Sequence, residues 1–207
     1  MHPLILLAIT VVGSSARLRP GYRRVDGRKT RGERKRQEIT EATLRVIERD
    51  GVAGVSHRTV AREAGASAAS VTYHFATLDE LLVDTLVWSA ERLAAQVRDL
   101  IETSRIKGGR PAGAVAEMLA EALGPERART MAQYELYLLA ARRPALRPAA
   151  RLWLDVLASL GRQPDEVGFR AFLAAVDGVL VQGLIDDEPP TAAELLPVVE
   201  HLLEPLR

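Results

Sequence analysis

Apolar positions recur at helical spacing along most of this chain. Between Ile39 and Ile47 they follow the i, i+3, i+4, i+7, i+8 pattern of a helix that packs one face on a core. This first helix begins near Glu33 and ends at Gly51. Alternating runs of β-branched and aromatic residues, which strands require, are nearly absent. The pattern therefore predicts an all-α protein.

Two short helical segments follow the first helix. They cover 56–64 and 68–75, and Ser56 and Ser67 stand where a serine hydroxyl can accept an unpaired backbone N–H at a helix start. Gly65 lies between them, where a tight turn needs the left-handed conformation that glycine supplies. The two segments are predicted to cross as a helix-turn-helix. Six small or apolar side chains would face inward: Val60, Ala61, Ala64, Ala66, Val71 and Phe75.

The rest of the chain is predicted to form six further helices. A long amphipathic helix from Leu78 to about Ser104 would join two lobes, and breaks at Gly and Pro separate the later helices. Those helices are expected at 112–123, 126–142, 146–160, 165–185 and 191–204. We divide the chain into a disordered basic arm (1–32), a helix-turn-helix domain (33–77) and a helical effector-binding and dimerisation domain (78–207).

Charge is distributed unevenly between these parts. The net charge is only +1, but residues 17–75 carry 14 Lys and Arg against 7 Asp and Glu. A basic small lobe on an acidic large one indicates a polyanionic partner at the N-terminal end. Ten of the basic residues lie between Arg17 and Arg36, in a stretch without apolar periodicity. A solvated tail and a DNA-binding arm explain that stretch equally well.

Catalytic and metal-binding signatures are missing from the sequence. The chain has no cysteine, which excludes disulfides, thiolate nucleophiles and Cys-ligated zinc, and its four histidines are scattered. We find no nucleophile–base arrangement and no phosphate-cradling glycine loop. We therefore predict no enzymatic activity, no cofactor and no metal, and a reducing cytoplasmic setting.

The first residues resemble the apolar core of a signal peptide. The run from Leu4 to Val12 is too short to span a bilayer, however, and lacks a basic segment before it. We interpret residues 1–24 as the product of a mis-assigned translation start, with Val25 as the initiator. A cytoplasmic protein without membrane contact is expected.

The stretch from Arg34 to Leu82 resembles the DNA-binding domain of the TetR (tetracycline repressor) family. Five segments carry the resemblance: Asp50-Gly51, Ser56-His57-Arg58-Thr59-Val60-Ala61, Ala64-Gly65-Ala66-Ser67, Tyr73-His74-Phe75 and Asp79-Glu80-Leu81-Leu82. The resemblance implies a one-component regulator, expected to be a repressor, that binds palindromic double-stranded operator DNA as a homodimer. It also implies release by a small-molecule effector. Whether the protein represses or activates depends on operator position and stays open.

Two positions depart from the family pattern. Thr72 stands where the family usually has a tyrosine, and Leu78 where it usually has a lysine. Both residues typically bind phosphate in the family. Since phosphate affinity is a summed electrostatic effect, Arg58 and the basic arm would compensate for their loss.

The second helix of a helix-turn-helix lies in the major groove of DNA. Here it would turn four small side chains toward the bases: Ala68, Ala69, Ser70 and Thr72. Six further residues would contact phosphates: Ser56, His57, Arg58, Ser67, Tyr73 and His74. Arg34 is a further candidate for DNA contact. The base-facing set offers no bidentate Arg or Asn, so specificity would depend partly on DNA shape. Alternatives stay open: the serines as caps only, Tyr73 packed on the long helix, and His74 bonded to a carbonyl.

The segment 131–141 is apolar around nearly its whole circumference, which predicts a buried helix. Polar groups within it need partners, and a ligand pocket would supply them. The candidate effector residues are Trp88, Met118, Met131, Tyr134, Glu135, Tyr137 and Trp153. Glu135 suggests a cationic or hydrogen-bonding effector. An ordinary aromatic core is the alternative.

The last two helices are the candidates for dimerisation. Paired with their two-fold mates they would form a four-helix bundle, as the resemblance implies. The candidate contacts are Phe169, Phe172, Leu173, Val176, Leu180, Leu184, Leu195, Val199 and Leu202. Gly178 and Gly183 would allow close helix approach. The alternative is that these faces complete the core of one chain.

A repressor of this kind would work through spacing. Its two recognition helices must lie roughly 34–36 Å apart to enter successive major grooves. An effector that prefers the mis-spaced form would release DNA, with the long helix from Leu78 as the lever. Two other classes stay open: a ligand-independent architectural DNA-binding protein, and an enzyme in the C-terminal domain.

Overall fold

The computed structural model describes residues 27–106, 111–159 and 166–204. These ranges contain nine α-helices, two short 3-10 turns and no strand, so the all-α prediction is confirmed. The helices are α1 (Gly27–Asp50), α2 (His57–Glu63), α3 (Ala68–His74), α4 (Leu78–Ile106), α5 (Pro111–Leu123), α6 (Arg127–Leu139), α7 (Arg147–Ser159), α8 (Glu166–Ile185) and α9 (Ala192–Leu203). The 3-10 turns are Val52–Gly54 and Pro144–Leu146.

Helix α1 begins at Gly27, six residues before the predicted start near Glu33. The expectation of a disordered arm was therefore wrong for residues 27–32, and residues 1–26 lie outside the described part of the chain. The sequence argument relied on apolar periodicity, which a helix needs only where it packs on a core. Arg and Lys are good helix formers, and Arg34 and Lys35 pair with Glu38 one turn later.

The helix-turn-helix forms as the capping residues predict. Ser56 builds a capping box with Thr59, and the Ser67 hydroxyl accepts the backbone N–H of Ser70 at 3.1 Å. Gly65 has φ +59°, the left-handed conformation expected between the two helices. Gly51, at the end of α1, has φ +70°.

Two hydrophobic cores hold the described helices together. The first combines the helix-turn-helix with the start of α4 and with parts of α6 and α7; Phe75, Leu82 and Leu136 are fully buried in it. The second joins α5, α8 and α9, with Leu119, Leu195 and Val199 buried. The first core contains residues from both sides of the predicted domain boundary between residues 77 and 78. The DNA-binding helices are therefore packed directly on the C-terminal part.

Within the chain, helix α6 is covered on one face only, which corrects the prediction of a helix buried on all sides. Ala132 and Leu136 are buried, whereas Met131 and Leu138 are 51% and 61% exposed. The spacing of seven residues places Met131 and Leu138 on one face of the helix, opposite the core. Composition shows that such a face is apolar, but not whether another helix covers it.

Helix α8 is apolar but largely uncovered within one chain. The window Val167–Ile185 has a mean hydropathy of 1.5, and only 6% of it is buried. By length and composition alone this helix, one of the nine described, could cross a membrane. One such helix is weak evidence, because helices of soluble proteins can have the same composition. Its apolar side chains therefore form an exposed patch on the described part of one chain.

Candidate DNA-binding and effector sites

Helix α3 presents its polar face to solvent. Val71 is fully buried, as is Phe75 directly after the helix, and both anchor α3 on the first core. On the opposite side Ala68, Ala69 and Thr72 are exposed. Ser70 is half-buried. The side chains expected to face bases are thus accessible, apart from part of Ser70.

The Tyr73 side chain is 86% exposed, so it does not contribute to the hydrophobic core as most large aromatic side chains do. Its ring touches the His74 ring edge-on, with centroids 5.2 Å apart. It does not pack on α4, so that alternative was wrong. The phenol is therefore free to reach a partner beside the end of α3.

The other predicted phosphate ligands have different surroundings. Nε2 of His57 lies 2.9 Å from the carbonyl oxygen of Phe75, so this ring joins α2 to the end of α3. Ser56 and Ser67 serve as N-caps. Arg34 and Arg58 are exposed, at the N-terminal part of α1 and on the first turn of α2. His57 and the serines thus have structural roles, whereas Arg34, Arg58 and Tyr73 project outward.

Sequence reasoning missed Arg36, which holds the end of α3 in place. Its guanidinium donates to Asp84 on α4 and, at 2.8 Å, to the carbonyl of His74. The same group lies 4.3 Å from the centroid of the Phe75 ring, within cation–π range. The hydrogen bond to Asp84 raises the pKa of Arg36 above its ordinary value. Arg36 and Asp84 are 48 positions apart in the chain, so no local pattern indicated this contact.

An open cleft of about 490 Å³ lies between the N-terminal part of α1 and the end of α3. Its lining residues are Arg31, Gly32, Arg34, Lys35, Glu38, Tyr73 and His74. Glu38 pairs with Arg34 at 3.5 Å and with Lys35 at 3.0 Å. The hydrogen bond from Lys35 lowers the pKa of Glu38, and the charges of Lys35 and Arg34 lower it further. Three cations and one acid thus share the cleft with an exposed phenol.

In the C-terminal part, α6 and α8 meet through a half-buried phenol. The Tyr134 hydroxyl donates to Oδ1 of Asp177 at 2.7 Å. Burial, and then the bond to Asp177, raises the pKa of Tyr134. Burial also raises the pKa of Tyr137, and the charge of Asp177 adds to that rise. Two of the predicted effector residues, Tyr134 and Tyr137, therefore lie near one carboxylate, that of Asp177, which is itself exposed.

The other predicted effector residues are dispersed. Trp88 is partly buried against the first core, and the Arg92 guanidinium lies 5.6 Å from its ring centroid. Met118 is half-buried on α5, and Met131 is exposed. The side chain of Trp153 lies outside the described residues.

Glu135 lies apart from the tyrosines. Its carboxylate accepts the backbone N–H of Val52 at 2.8 Å, in the turn after α1. Nearby, Arg129 on α6 pairs with Glu48 on α1 at 2.9 Å. Helix α6 therefore binds the DNA-binding part through Arg129 and Glu135, and α8 through Tyr134.

The hydroxyl of Ser89 on α4 has no hydrogen-bond partner among the described residues, although the side chain is fully buried. Buried polar groups are normally paired, since an unpaired one costs about 1–3 kcal/mol. Ser89 follows Trp88 in the chain. No pattern in the sequence marked this hydroxyl.

Comparison with known proteins identifies the family. Residues 39–85 match the family model for bacterial regulatory proteins of the tetR family, and residues 109–205 match the tetracyclin repressor-like C-terminal domain. The chain belongs to the TetR family of transcriptional regulators. Family and fold together point to a non-enzymatic, DNA-binding regulator.

Among characterised TetR-family relatives, the nicotine-responsive transcriptional repressor HdnoR of Paenarthrobacter nicotinovorans is 29% identical over 178 residues. That match covers 78% of this chain and 89% of HdnoR. The transcriptional regulator PksA of Bacillus subtilis is 38% identical over 68 residues, a third of each chain. The multidrug binding protein EbrR, solved in complex with ethidium, is 41% identical and superposes with a TM-score of 0.68. That match covers 81% of this chain and 97% of EbrR.

The two departures from the TetR pattern have structural explanations. Leu78 is partly buried against the first core, so it contributes to packing at the start of α4. Thr72 is exposed, and its hydroxyl donates to the carbonyl of Ala68 at 3.0 Å. A leucine at 78 thus replaces a phosphate ligand with a core contact, whereas Thr72 stays on the open face of α3.

The candidate dimer contacts of this TetR-family chain divide into two groups. Leu195 and Val199 are buried in the second core, and Val176 and Leu180 pack against it. These four complete the core of one chain. Phe169 and Phe172 stack on each other with centroids 6.2 Å apart, and Phe169, Phe172, Leu173, Leu184 and Leu202 stay half-exposed.

The two glycines of α8 also differ. Gly183 packs within the chain, since an added Cβ would lie 2.6 Å from Cδ1 of Leu123. Gly178 has nothing within 4 Å of that position. There is therefore space for a second chain to approach closely at Gly178. Gly183, in contrast, is needed for the contact between α5 and α8.

Proposed function

We propose that this TetR-family regulator is a cytoplasmic repressor that binds palindromic operator DNA as a homodimer. In this proposal a small organic molecule in the C-terminal domain releases the DNA. The observation that carries it is the outward face of α3, where Ala68, Ala69, Thr72 and Tyr73 are exposed beside a basic cleft. A helix anchored by Val71 and Phe75, with its other face open, suits insertion into the major groove.

The dimer is proposed to form through α8. Val167 and Ile185 are 76% and 77% exposed, and Val181 is 41% exposed, on a helix with almost no polar residues between them. A second copy would cover this surface, and two-fold pairing would set the distance between the two α3 helices. Light scattering after size exclusion should give twice the chain mass of 22.6 kDa. A strictly monomeric protein at micromolar concentration contradicts this step.

DNA binding is tested with duplexes from the protein's own upstream region. Because phosphate contacts release counterions, affinity should fall steeply as salt is raised. An unrelated duplex of equal length is the control, and the upstream duplex should bind more tightly at each salt concentration. Absence of salt-sensitive binding to any duplex contradicts the proposed function.

We propose an aromatic organic cation as the effector, held at Tyr134, Tyr137 and Asp177. The Asp177 carboxylate supplies a negative charge, and the two phenols supply apolar rings with polar tips. EbrR, which is 40% identical to this chain, has been solved in complex with proflavin, a dye of this chemical class. Ethidium is a suitable probe because its fluorescence changes on binding.

Asp177→Asn is expected to weaken ethidium binding about fivefold, the size of a partly screened charge interaction. Asp186→Asn, at an exposed position just after α8, is the matched control and should leave the affinity unchanged. Equal dissociation constants for both variants contradict the assignment of Asp177. If ethidium binds without changing the affinity for DNA, the result favours the alternative class, a DNA-binding protein that does not respond to the ligand.

Helix α6 is proposed to carry the signal from the effector to DNA. It contacts Asp177 through Tyr134 on one side and the turn after α1 through Glu135 on the other. A ligand that displaces the Tyr134–Asp177 bond would shift α6 and, with it, the first core. In this mechanism α6 transmits the signal together with the long helix α4, which the sequence analysis expected to act as the lever.

A further inference from the structure

Glu38 occupies an unexpected place for an acid. It lies in the cleft between α1 and the end of α3, beside Tyr73 and His74, on the side of the molecule where α3 would meet DNA. Its neighbours in the cleft are Arg31, Arg34 and Lys35. A carboxylate at that position repels the phosphates that the three cations attract.

The fold does not require this carboxylate. Its ion pairs with Arg34 and Lys35 are exposed, with 76% of the Arg34 side chain and 46% of the Glu38 side chain accessible. Exposed pairs of this kind contribute little to stability, because water and salt screen the two charges. Helical spacing of three and four residues instead holds the guanidinium and the ammonium toward the cleft.

The cleft has the chemistry of a phosphodiester site. Cations line its α1 side, and the exposed phenol of Tyr73 provides a hydroxyl on the α3 side. The cleft, about 490 Å³ in volume, is open to solvent, so a phosphate can reach the cations that line it. Since α1 is helical back to Gly27, Arg31 and Arg34 stand on a regular helix instead of a free arm.

We propose that this cleft binds one backbone phosphate of duplex DNA next to the bases under α3, and that Glu38 is the counter-ion which the phosphate displaces. The inference rests on the proposed DNA-binding function. Glu38 holds the cations in place in the free protein and lowers the affinity for every duplex by the same factor. Because phosphate contacts carry no sequence information, Glu38 leaves the ratio of specific to non-specific affinity unchanged.

The test compares Glu38→Gln with Glu33→Gln in the full chain. Both changes remove one negative charge from α1, but Glu33 does not line the cleft. Fluorescence anisotropy over a series of salt concentrations measures affinity for the upstream duplex and for an unrelated duplex. Glu38→Gln should tighten both about fivefold near 0.1 M salt and steepen the slope of log K against log salt by about one.

A second background tests whether Glu38 acts through the cleft. In Arg34→Gln/Lys35→Gln protein the phosphate loses its main ligands, so adding Glu38→Gln should then have no more effect than Glu33→Gln. Coupled residues show such non-additivity, whereas independent charges add. Circular dichroism melts should match wild type for each variant, since Glu33, Arg34 and Glu38 are exposed and Lys35 is only half-buried.

The outcomes separate the two proposals. Wild-type protein that binds no duplex overturns both the DNA-binding function and the cleft. Wild-type protein that binds DNA, with Glu38→Gln equal to Glu33→Gln, overturns the cleft alone. A Glu38→Gln effect that persists in full without Arg34 and Lys35 overturns the displacement step.

Discussion

The carboxylate of Glu135 accepts a hydrogen bond from the backbone N–H of Val52, 2.8 Å away and 83 residues earlier in the chain. Val52 follows Gly51, whose φ of +70° turns the chain at the end of α1. A Cβ at Gly51 would lie 3.3 Å from both carboxylate oxygens, so glycine also allows the close approach of α6. This contact ties the helix that carries Tyr134 to the DNA-binding part.

Glu135→Ala is expected to reduce the coupling between effector and DNA. We expect the ethidium dissociation constant of the free protein to stay unchanged, because Glu135 lies away from Asp177. The coupling factor is the ratio by which saturating ethidium weakens DNA binding, and such factors are typically about 5- to 150-fold. In the Glu135→Ala variant this factor should be several-fold smaller than in wild type. Glu117→Ala, at an exposed position on α5, is the control. An unchanged coupling factor removes Glu135 from the pathway.

Tyr73→Ala combined with Arg58→Ala should weaken DNA binding about tenfold or more without unfolding the protein. Tyr73 is 86% exposed and Arg58 is exposed, so neither supports the core. Each would supply a phosphate contact that fixes the register of α3. Anisotropy gives the affinity and a thermal melt gives the stability. Unchanged affinity would exclude both residues from the interface.

Arg36→Ala should cost stability and DNA affinity together. The substitution removes two charge-assisted hydrogen bonds and a ring contact at the end of α3, for which we expect about 1–2 kcal/mol of unfolding free energy.

Arg45→Ala is the matched control for Arg36→Ala. Its side chain has the same 43% exposure, but it pairs with the Glu63 carboxylate on α2 instead of the end of α3. It should cost less than about 1 kcal/mol. Equal urea midpoints for the two variants would show that Arg36 does not hold α3.

Gly183→Ala should destabilise the protein by about 1–3 kcal/mol, because its methyl would overlap the side chain of Leu123, which is fully buried. Gly113→Ala, in helix α5 with open space around the added methyl, should instead stabilise by about 0.5–1 kcal/mol. Chemical denaturation of both variants measures the difference. A neutral Gly183→Ala would mean that α5 and α8 separate at little cost.

Local patterns were sufficient to locate the helices, apart from the first six residues of α1. Ser56, Ser67 and Gly65 determine where α2 and α3 begin and where the turn between them lies, because capping and left-handed turns depend on the residue and its immediate neighbours. The later helices also lie within a few residues of their predicted bounds. The family resemblance of the N-terminal part rested on the same local signals.

The sequence by itself therefore determined the helices, the turn between α2 and α3 and the basic character of the N-terminal end. The tertiary structure decided which side chains meet: Arg36 with Asp84, His57 with Phe75, and Glu135 with Val52. It also decided that Leu195 is covered within the chain while Met131 is not. Periodicity shows which face of a helix is apolar, but the partner of that face is set by packing between segments far apart in the chain.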